Sequence, residues 1–497
     1  MALRARLVAP RTAPEKTWLW HIVKAGSISA SVIFSGDRRM EAETYLSSGY
    51  GIRIAIESKQ RGWVRFDQVA KVEQPGRLKG ILVSSDYGKP FLAATQVFDV
   101  RPIPRKFLAL EKMEGAKACY VAEGTILVTR SGSVGRATVA HSVHRDIVIS
   151  DDLLRVKAID PKYSGWIYAF LHATQTRAMT KGAQYGHIIK HLEVSHLEAI
   201  PLPLVDEKTA ETFTRKLSQI ITLRNDSHRL TLEAEARFED ALGEKKIKDW
   251  GEHGFEVRAS SSFVVGRRRM EAAFHNPGAL AVRKHLAKNG KGFTAITDAG
   301  YDVWLPSRFR RVPAEDGVDL VDSADLTEVN PDLTKKIADG DFGDKWKGRV
   351  KEGWILMARS GQTYGIIGTA VLAGADLEDK VISDHVMRIK PQTHPKVQPG
   401  YLVTAMSHPL FGRPLVKSLA YGSSIPEIEV ADIASHEIVR LDPTVENKIA
   451  ELAESSAKAR AAADIMEREI TSDASAIIEA FLADGTNAPA TRPTCSI

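Results

Sequence analysis

Two arginine-serine-glycine turns are the residues best suited to hold a ligand. Arg130-Ser131-Gly132 and Arg359-Ser360-Gly361 each follow a short apolar run, residues 124–129 and 353–357. Glycine lets backbone approach a ligand closely. Arginine forks onto a guanine edge or a phosphate, and serine donates to a phosphate. A structural role fits the same residues: the glycine shapes a turn and the arginine pairs with a carboxylate of its own domain, with Asp151 and Asp384 as candidate partners. That the turn occurs twice favours structure, because contacts that read different sequences should differ between copies.

Signatures of catalysis are missing. The sequence has no GxxxxGK(S/T) phosphate loop. It has no NPP(Y/F) tetrapeptide of the methyltransferase kind: Asn276-Pro277 runs into Gly278, and Asn330-Pro331 into Asp332. Pro331-Asp332 with Lys335-Lys336 is a fragment of a metal-dependent nuclease motif, without the strand context or the second acidic residue, and the first half has no counterpart. His187, His191 and His196 cluster, and the first two are four apart, as on a metal-binding helix face. No Glu lies between those two to act as a base, and Ser423 and Glu427 stand at the equivalent places of a second copy. Satisfied histidines explain them better than zinc.

The second copy is a whole domain. GDRRMEA (36–42) returns as GRRRMEA (266–272), and GTILVTRSG (124–132) as GWILMARSG (353–361). VISDDLLRVK (148–157) returns as VISDHVMRIK (381–390). Tyr185-Gly186 with Leu192-Glu193-Val194 returns as Tyr421-Gly422 with Ile428-Glu429-Val430. The order is kept and the spacing drifts only slightly, so this is a duplicated domain and not a short solenoid repeat. Between the blocks the halves differ: residues 87–118 share little with 310–347, which is what two related domains with different ligands would show.

Each half closes on a long helix. Residues 206–242 and 444–482 contain no Pro or Gly, and apolar residues recur at three- and four-residue spacing. Asp442-Pro443 reads as a cap with proline in the first turn, and Gly243 as a stop. The lengths suit an antiparallel two-stranded coil. Ahead of them, residues 124–129, 147–157, 353–357 and 381–390 read as strands, 164–181 and 399–417 as short helices, and the proline-bearing 199–205 as an edge strand. The fold class is thus α/β (mixed α+β), duplicated domains joined by long antiparallel coiled-coil helices. The boundaries are an N-terminal segment 1–35, domains 36–205 and 244–441, helices 206–243 and 442–483, and a polar tail 484–497 expected to be disordered.

Composition narrows the partners. Of 497 residues 43% are hydrophobic and 26% charged, ordinary for a globular chain. The net charge of +6 permits a nucleic-acid partner without demanding one, and 7% aromatics disfavours a large base-stacking platform. The two cysteines, Cys119 and Cys495, exclude a thiolate zinc site or a disulfide framework and suit the cytoplasm. No run of about 18 apolar residues reads as a membrane span, and no signal peptide is read.

Specificity belongs to the divergent inserts. Lys89, Gln96, Arg101, Arg105 and Lys106 lie in or near the first; Arg308, Arg310, Arg311, Lys335, Lys336, Lys345, Lys347 and Arg349 in or near the second. Gln reads adenine and Arg reads guanine bidentately, although most surface Lys and Arg are merely solvated.

A chain of two such halves, each closed by a long helix, resembles the specificity subunit of type I restriction–modification enzymes. GTILVTRSGSVG (124–135), GWILMARSGQTYG (353–365), the two VISD blocks and KGAQYGHIIKHLEVSHLEAIPLPLV (181–205) carry the resemblance, which spans about residues 36–483. Thr125 and Trp354 depart from the family's acidic residue after the strand glycine, and the second closing block lacks the first's proline-rich ending. The resemblance implies a non-catalytic reader of double-stranded DNA, each domain taking one half of a bipartite target. The paired helices would set the spacing and dock two methyltransferase subunits. S-adenosylmethionine, ATP and Mg would then sit on partner subunits, methyltransferase and motor-nuclease, with no cofactor of the chain's own. A specificity-subunit-like DNA reader or scaffold in another defence system, or a stand-alone DNA-modifying enzyme, is the alternative.

Overall fold

The computed structural model describes residues 42–77, 80–110, 116–183, 190–243, 254–263, 269–339, 348–362, 365–422 and 424–484, with 30 and 33 besides. The segment 1–35 lies outside them except for those two residues, and so do the tail beyond 484, His187, Lys345 and Lys347.

Each half is built on a four-stranded antiparallel frame sheet. The first half contains β1 (Trp63–Arg65), β2 (Ala70–Glu73), β3 (Leu82–Val83), β4 (Lys89–Leu92), β5 (Lys106–Leu108), β6 (Ile126–Thr129), β7 (Ala137–Val139), β8 (Val148–Ile149), β9 (Leu153–Ala158) and β10 (Pro201–Pro203). The second contains β11 (Phe293–Ala295), β12 (Tyr301–Trp304), β13 (Pro313–Val321), β14 (Lys336–Ile337), β15 (Ile355–Ala358), β16 (Ala370–Leu372), β17 (Val381–Ile382), β18 (Val386–Pro391) and β19 (Glu437–Val439). The frame sheets run β2-β9-β6-β7 and β12-β18-β15-β16. Their registers match: Ile126 faces Val156 and Ile355 faces Ile389. Proline-bearing β10 pairs only with β1, and its counterpart β19 only with β11, as two-stranded ribbons.

The insert sheets differ. The first is four-stranded, β3-β5-β4-β8; the second is three-stranded, β14-β13-β17. Both include one parallel pair at equivalent places, Leu92 facing Ile149 and Val321 facing Ile382.

The first long helix is Glu207–Leu242, capped by the Asp206 carboxylate accepting from Thr209 N–H. The second is Pro443–Ala483, capped by Asp442 accepting from Thr444 N–H, with proline in its first turn. At 1.5 Å per residue they span roughly 54 and 62 Å. They lie antiparallel: Lys216 meets Asp473 at one end, and Thr231 meets Ser456 further along.

Each long helix serves both domains. Phe213, Leu217 and Ile220 pack in the first domain's core, beside Ile470, Ala474 and Ile478 of the second helix. Phe238 and Leu242 of the first helix pack in the second domain's core, beside Ile449 and Ala450. Burying apolar side chains at both ends fixes each helix against both domains. Pivoting one domain about the pair would expose that surface.

The domains also touch directly. Asp99 faces Glu328 in an isolated antiparallel bridge. Val100 N–H donates to the Thr327 carbonyl at 2.8 Å, and Val329 N–H to the Phe98 carbonyl at 2.7 Å. Residues 98, 99 and 100 are the counterparts of 327, 328 and 329 under the spacing that relates GTILVTRSG to GWILMARSG. The two hydrogen bonds are therefore copies of one another about an internal two-fold axis. The contact was not foreseen in the sequence, where the helices alone hold the halves apart.

Candidate nucleic-acid interface

The arginine-serine-glycine turns do the same backbone work in both halves. Arg130 N–H donates to the Asp152 carbonyl and Arg359 N–H to that of His385. Their carbonyls accept from Leu192 and Ile428 N–H, both at 2.9 Å. Ser131 bridges to His191 and Ser360 to Glu427. Gly132 has φ 73° and Gly361 φ 153°, so a side chain at either place would be strained. These turns join the frame sheet to the block that closes each domain.

Their side chains face carboxylates, though not the expected ones. Arg130 pairs with Glu193 at 2.6 Å and Asp152 at 3.6 Å, and Ser131 Oγ donates to Asp152 at 2.5 Å. Arg359 pairs with Glu427 at 2.9 Å. Asp384 is instead held by Arg311. Asp384 lies in the turn after β17 and points to the insert, whereas the closing block passes beside the arginine.

A buried arginine in each half was not singled out in the sequence. Arg155 is 6% exposed and Arg388 0%. Arg155 donates to the carbonyls of Leu153, Ile149 and Ser150 at 2.6, 3.1 and 3.2 Å. Arg388 donates to Ser383 and Ile382 at 2.8 and 2.7 Å, and to Val386. Burial lowers Arg388 to about 10. Each guanidinium ties the insert sheet (β8 or β17) to the frame sheet (β9 or β18), so it aims the insert. The available signal was a cation repeated inside the apolar runs DLLRVK and HVMRIK.

The insert residues divide into two groups. Gln96 is 5% exposed; its side chain accepts from Ala93 N–H and donates to the Ile103 carbonyl. Reading adenine would require that turn to open. Arg101 pairs with Glu235 of the first long helix. Arg311 pairs with buried Asp384, and Lys335 with Asp322 towards the surface. Lys89, Arg105, Lys106, Arg308, Arg310 and Lys336 are exposed. Lys89 faces Leu108, whose other neighbour is exposed Leu82, and follows exposed Tyr87; Lys106 begins the adjacent antiparallel strand β5. This is cationic and apolar surface together, as a DNA groove and backbone require.

Of the histidine cluster, His196 closes a capping box with Glu193. Among the described residues no group of three His, Cys, Asp or Glu side chains is placed to hold a metal. No described helix is long and apolar enough to cross a membrane.

No family model matches the chain, and no curated protein matches it. Among solved structures the chain is similar to the type I restriction-modification system S subunit from M. genitalium, at 10% identity and TM-score 0.33, over 85% of this chain and 96% of that one. A structure described as showing complex assembly and conformational transition of the type I R-M system aligns at 10% identity and TM-score 0.25, over 86% and 97%. The HsdS subunit from Thermoanaerobacter tengcongensis aligns at 10% identity and TM-score 0.24, over 85% and 97%.

Proposed function

We propose that this chain is the DNA sequence-recognition subunit of a type I restriction–modification complex and is not itself catalytic. The observation that carries the reading is the duplication: two frame sheets of one order and register present unlike insert sheets. A common frame with different inserts suits a molecule that places two different readers at a fixed separation. Each domain reads one half of a bipartite duplex target, through Lys89 and Lys106 on the first insert and Arg308, Arg310 and Lys336 on the second. Joining two weak readers raises their effective concentration on one duplex.

The long helices form an antiparallel coiled-coil spacer whose outer faces dock two methyltransferase subunits. Those subunits hold S-adenosylmethionine, and motor-nuclease subunits use ATP and Mg, in the cytoplasm. The mild +6 charge fits a reader whose partners complete the positive channel.

The test is a band shift with the chain and a methyltransferase subunit encoded beside it. One asymmetric two-part target is expected, with affinity falling linearly in log salt. Failure to bind either duplex DNA or a methyltransferase subunit would remove the proposal.

A further inference from the structure

The internal two-fold symmetry breaks down at the domain contact, beginning with Arg136. Gly135-Arg136-Ala137 and Gly368-Thr369-Ala370 are counterparts, leading into β7 and β16, and both glycines have positive φ, 76° and 75°. Arg136 packs over the Phe98 ring at 3.9 Å and pairs with Glu328 at 2.7 Å. Across the axis Thr369 replaces Arg136, Thr327 replaces Phe98 and Asp99 replaces Glu328. A cavity of about 210 Å³ opens there, walled by both domains and both long helices.

The charges around that cavity are unbalanced. On the Arg136 side, Arg224 is held by Asp464 and Glu467, and Arg177 by Asp332. By the spacing that relates the helix caps Asp206 and Asp442, the counterparts of Arg224 and Arg177 across the axis are Arg460 and Arg413. The carboxylates have no counterpart there: His228, Thr231 and Ile103 occupy their places. Arg413 donates to the Gly365 carbonyl and Arg460 to the Leu372 carbonyl, both at 2.6 Å and both neutral acceptors. Among the described residues neither forms an ion pair. Arg413 Nε is buried without a hydrogen-bond partner. Burial lowers the Arg413 guanidinium, and the facing Arg105 lowers it further.

The geometry points to a binding site for a small phosphate monoester in this cavity, its dianion standing in for the missing carboxylates between Arg413 and Arg460. Guanidinium forks match phosphate oxygens, and a dianion matches two such charges. The rest of the wall mixes apolar Ile366, Val371 and Val403 with Arg105, Asp99 and the Arg101–Glu235 pair, so cations still outnumber carboxylates around the cavity. A dry cavity of about 150 Å³ accepts benzene, so this one takes a single ring beside the phosphate. The ligand would bridge the halves on the open side, as Arg136 does on the other.

Phenyl phosphate titrated calorimetrically into the full chain is the test, with inorganic phosphate and a short duplex as comparators. One site per chain is expected, with a rise in Tm, and inorganic phosphate binding more weakly. R413Q and R460Q each remove one cation from the site. Each should lower affinity about tenfold or more while the circular dichroism stays native. No binding at millimolar phenyl phosphate, or unchanged binding in both variants, would overturn the site. Displacement of the probe by duplex would also overturn it, assigning the arginines to DNA backbone instead. Neither the site nor its failure bears on the band shift above.

Discussion

The two sides of the internal axis share a backbone and differ in chemistry. On one side Arg224 is 4% exposed and held by Asp464 and Glu467, while Tyr168 donates to Glu467 and the Asn330 N–H to Asp464 at 2.9 Å. Arg136 and Arg177 complete a lock between the domains. On the other side the counterparts are Arg460, His228, Thr231 and Val403, around a cavity. Duplication dictates where the chain runs, through glycines of positive φ and matched registers. It leaves side chains at the axis free to diverge. A buried charge needs its partner nearby, so losing a carboxylate on one side leaves a cation in a cavity and not a closed contact.

The largest effect belongs to the lock. Asp464→Ala strips Arg224 of one carboxylate and leaves the Asn330 N–H unpaired, and removing one member of such a buried network costs about 3–5 kcal/mol. Arg460→Met, the change at the counterpart of Arg224, should cost about 1 kcal/mol or less, because the Leu372 carbonyl lies next to a cavity that water can enter. Urea unfolding of both variants measures the difference. Equal costs would mean that the two sides are energetically alike.

The shared frame predicts the opposite, symmetry. Arg155→Met and Arg388→Met each orphan buried carbonyls at the same junction of insert and frame, and each should cost about 2–4 kcal/mol. Hydrogen exchange resolves the loss by half: protection should fall in β8 and β9 for the first variant and in β17 and β18 for the second. Strongly unequal losses would show that the frame does not carry the inserts in the same way.

These contrasts explain what the sequence revealed. The long helices are legible because a three- and four-residue apolar rhythm without Pro or Gly has few other solutions. Residues 206–242 and 444–482 are helical in the structure, as Glu207–Leu242 and Pro443–Ala483. Buried strands β6 and β15 are legible as apolar runs ending at glycine turns. The contact at Asp99 and Glu328 is not, because two backbone hydrogen bonds leave no mark on residue type. The cavity is also hidden, since pairing Arg136 with Thr369 requires knowing that the repeat gains residues just after the arginine-serine-glycine turn. Glu193 and Glu427 were within reach, for both lie in the repeated closing block, but nothing in the sequence shows that this block passes beside Arg130 and Arg359.

Asp99 supplies a smaller effect with a definite sign. Burial, with the Glu328 charge adding to it, pushes its carboxyl up from 3.8 to about 7. Between those values the folded chain holds a proton that the unfolded chain has released. Stability therefore falls as pH rises from about 4 to 7 and stays lower above. Asp99→Asn removes that decline. At pH 8 it should gain about 1–2 kcal/mol, less than the whole shift would give because Asp99 is only half-buried and solvent screens part of the effect. At pH 4 the variant and the parent should have the same Tm. A gain that does not change with pH would locate the effect outside the carboxyl.

The smallest effect separates the inserts. Lys106 and Lys335 are counterparts, each facing the residue that precedes Leu92 or Val321. Lys335 is held by Asp322, whereas Lys106 forms no ion pair among the described residues. A lysine already paired within its domain gives up that contact to reach a phosphate, so it adds less to DNA binding. Lys106→Gln should weaken duplex binding by about 0.5–1 kcal/mol across all sequences and reduce the salt slope by about one. Lys335→Gln should do about half as much, and neither variant should move Tm. Fluorescence anisotropy at several salt concentrations reads both quantities. If Lys335→Gln had the larger effect, Asp322 would be positioning that lysine for DNA and not withholding it, and the second insert would be the tighter reader.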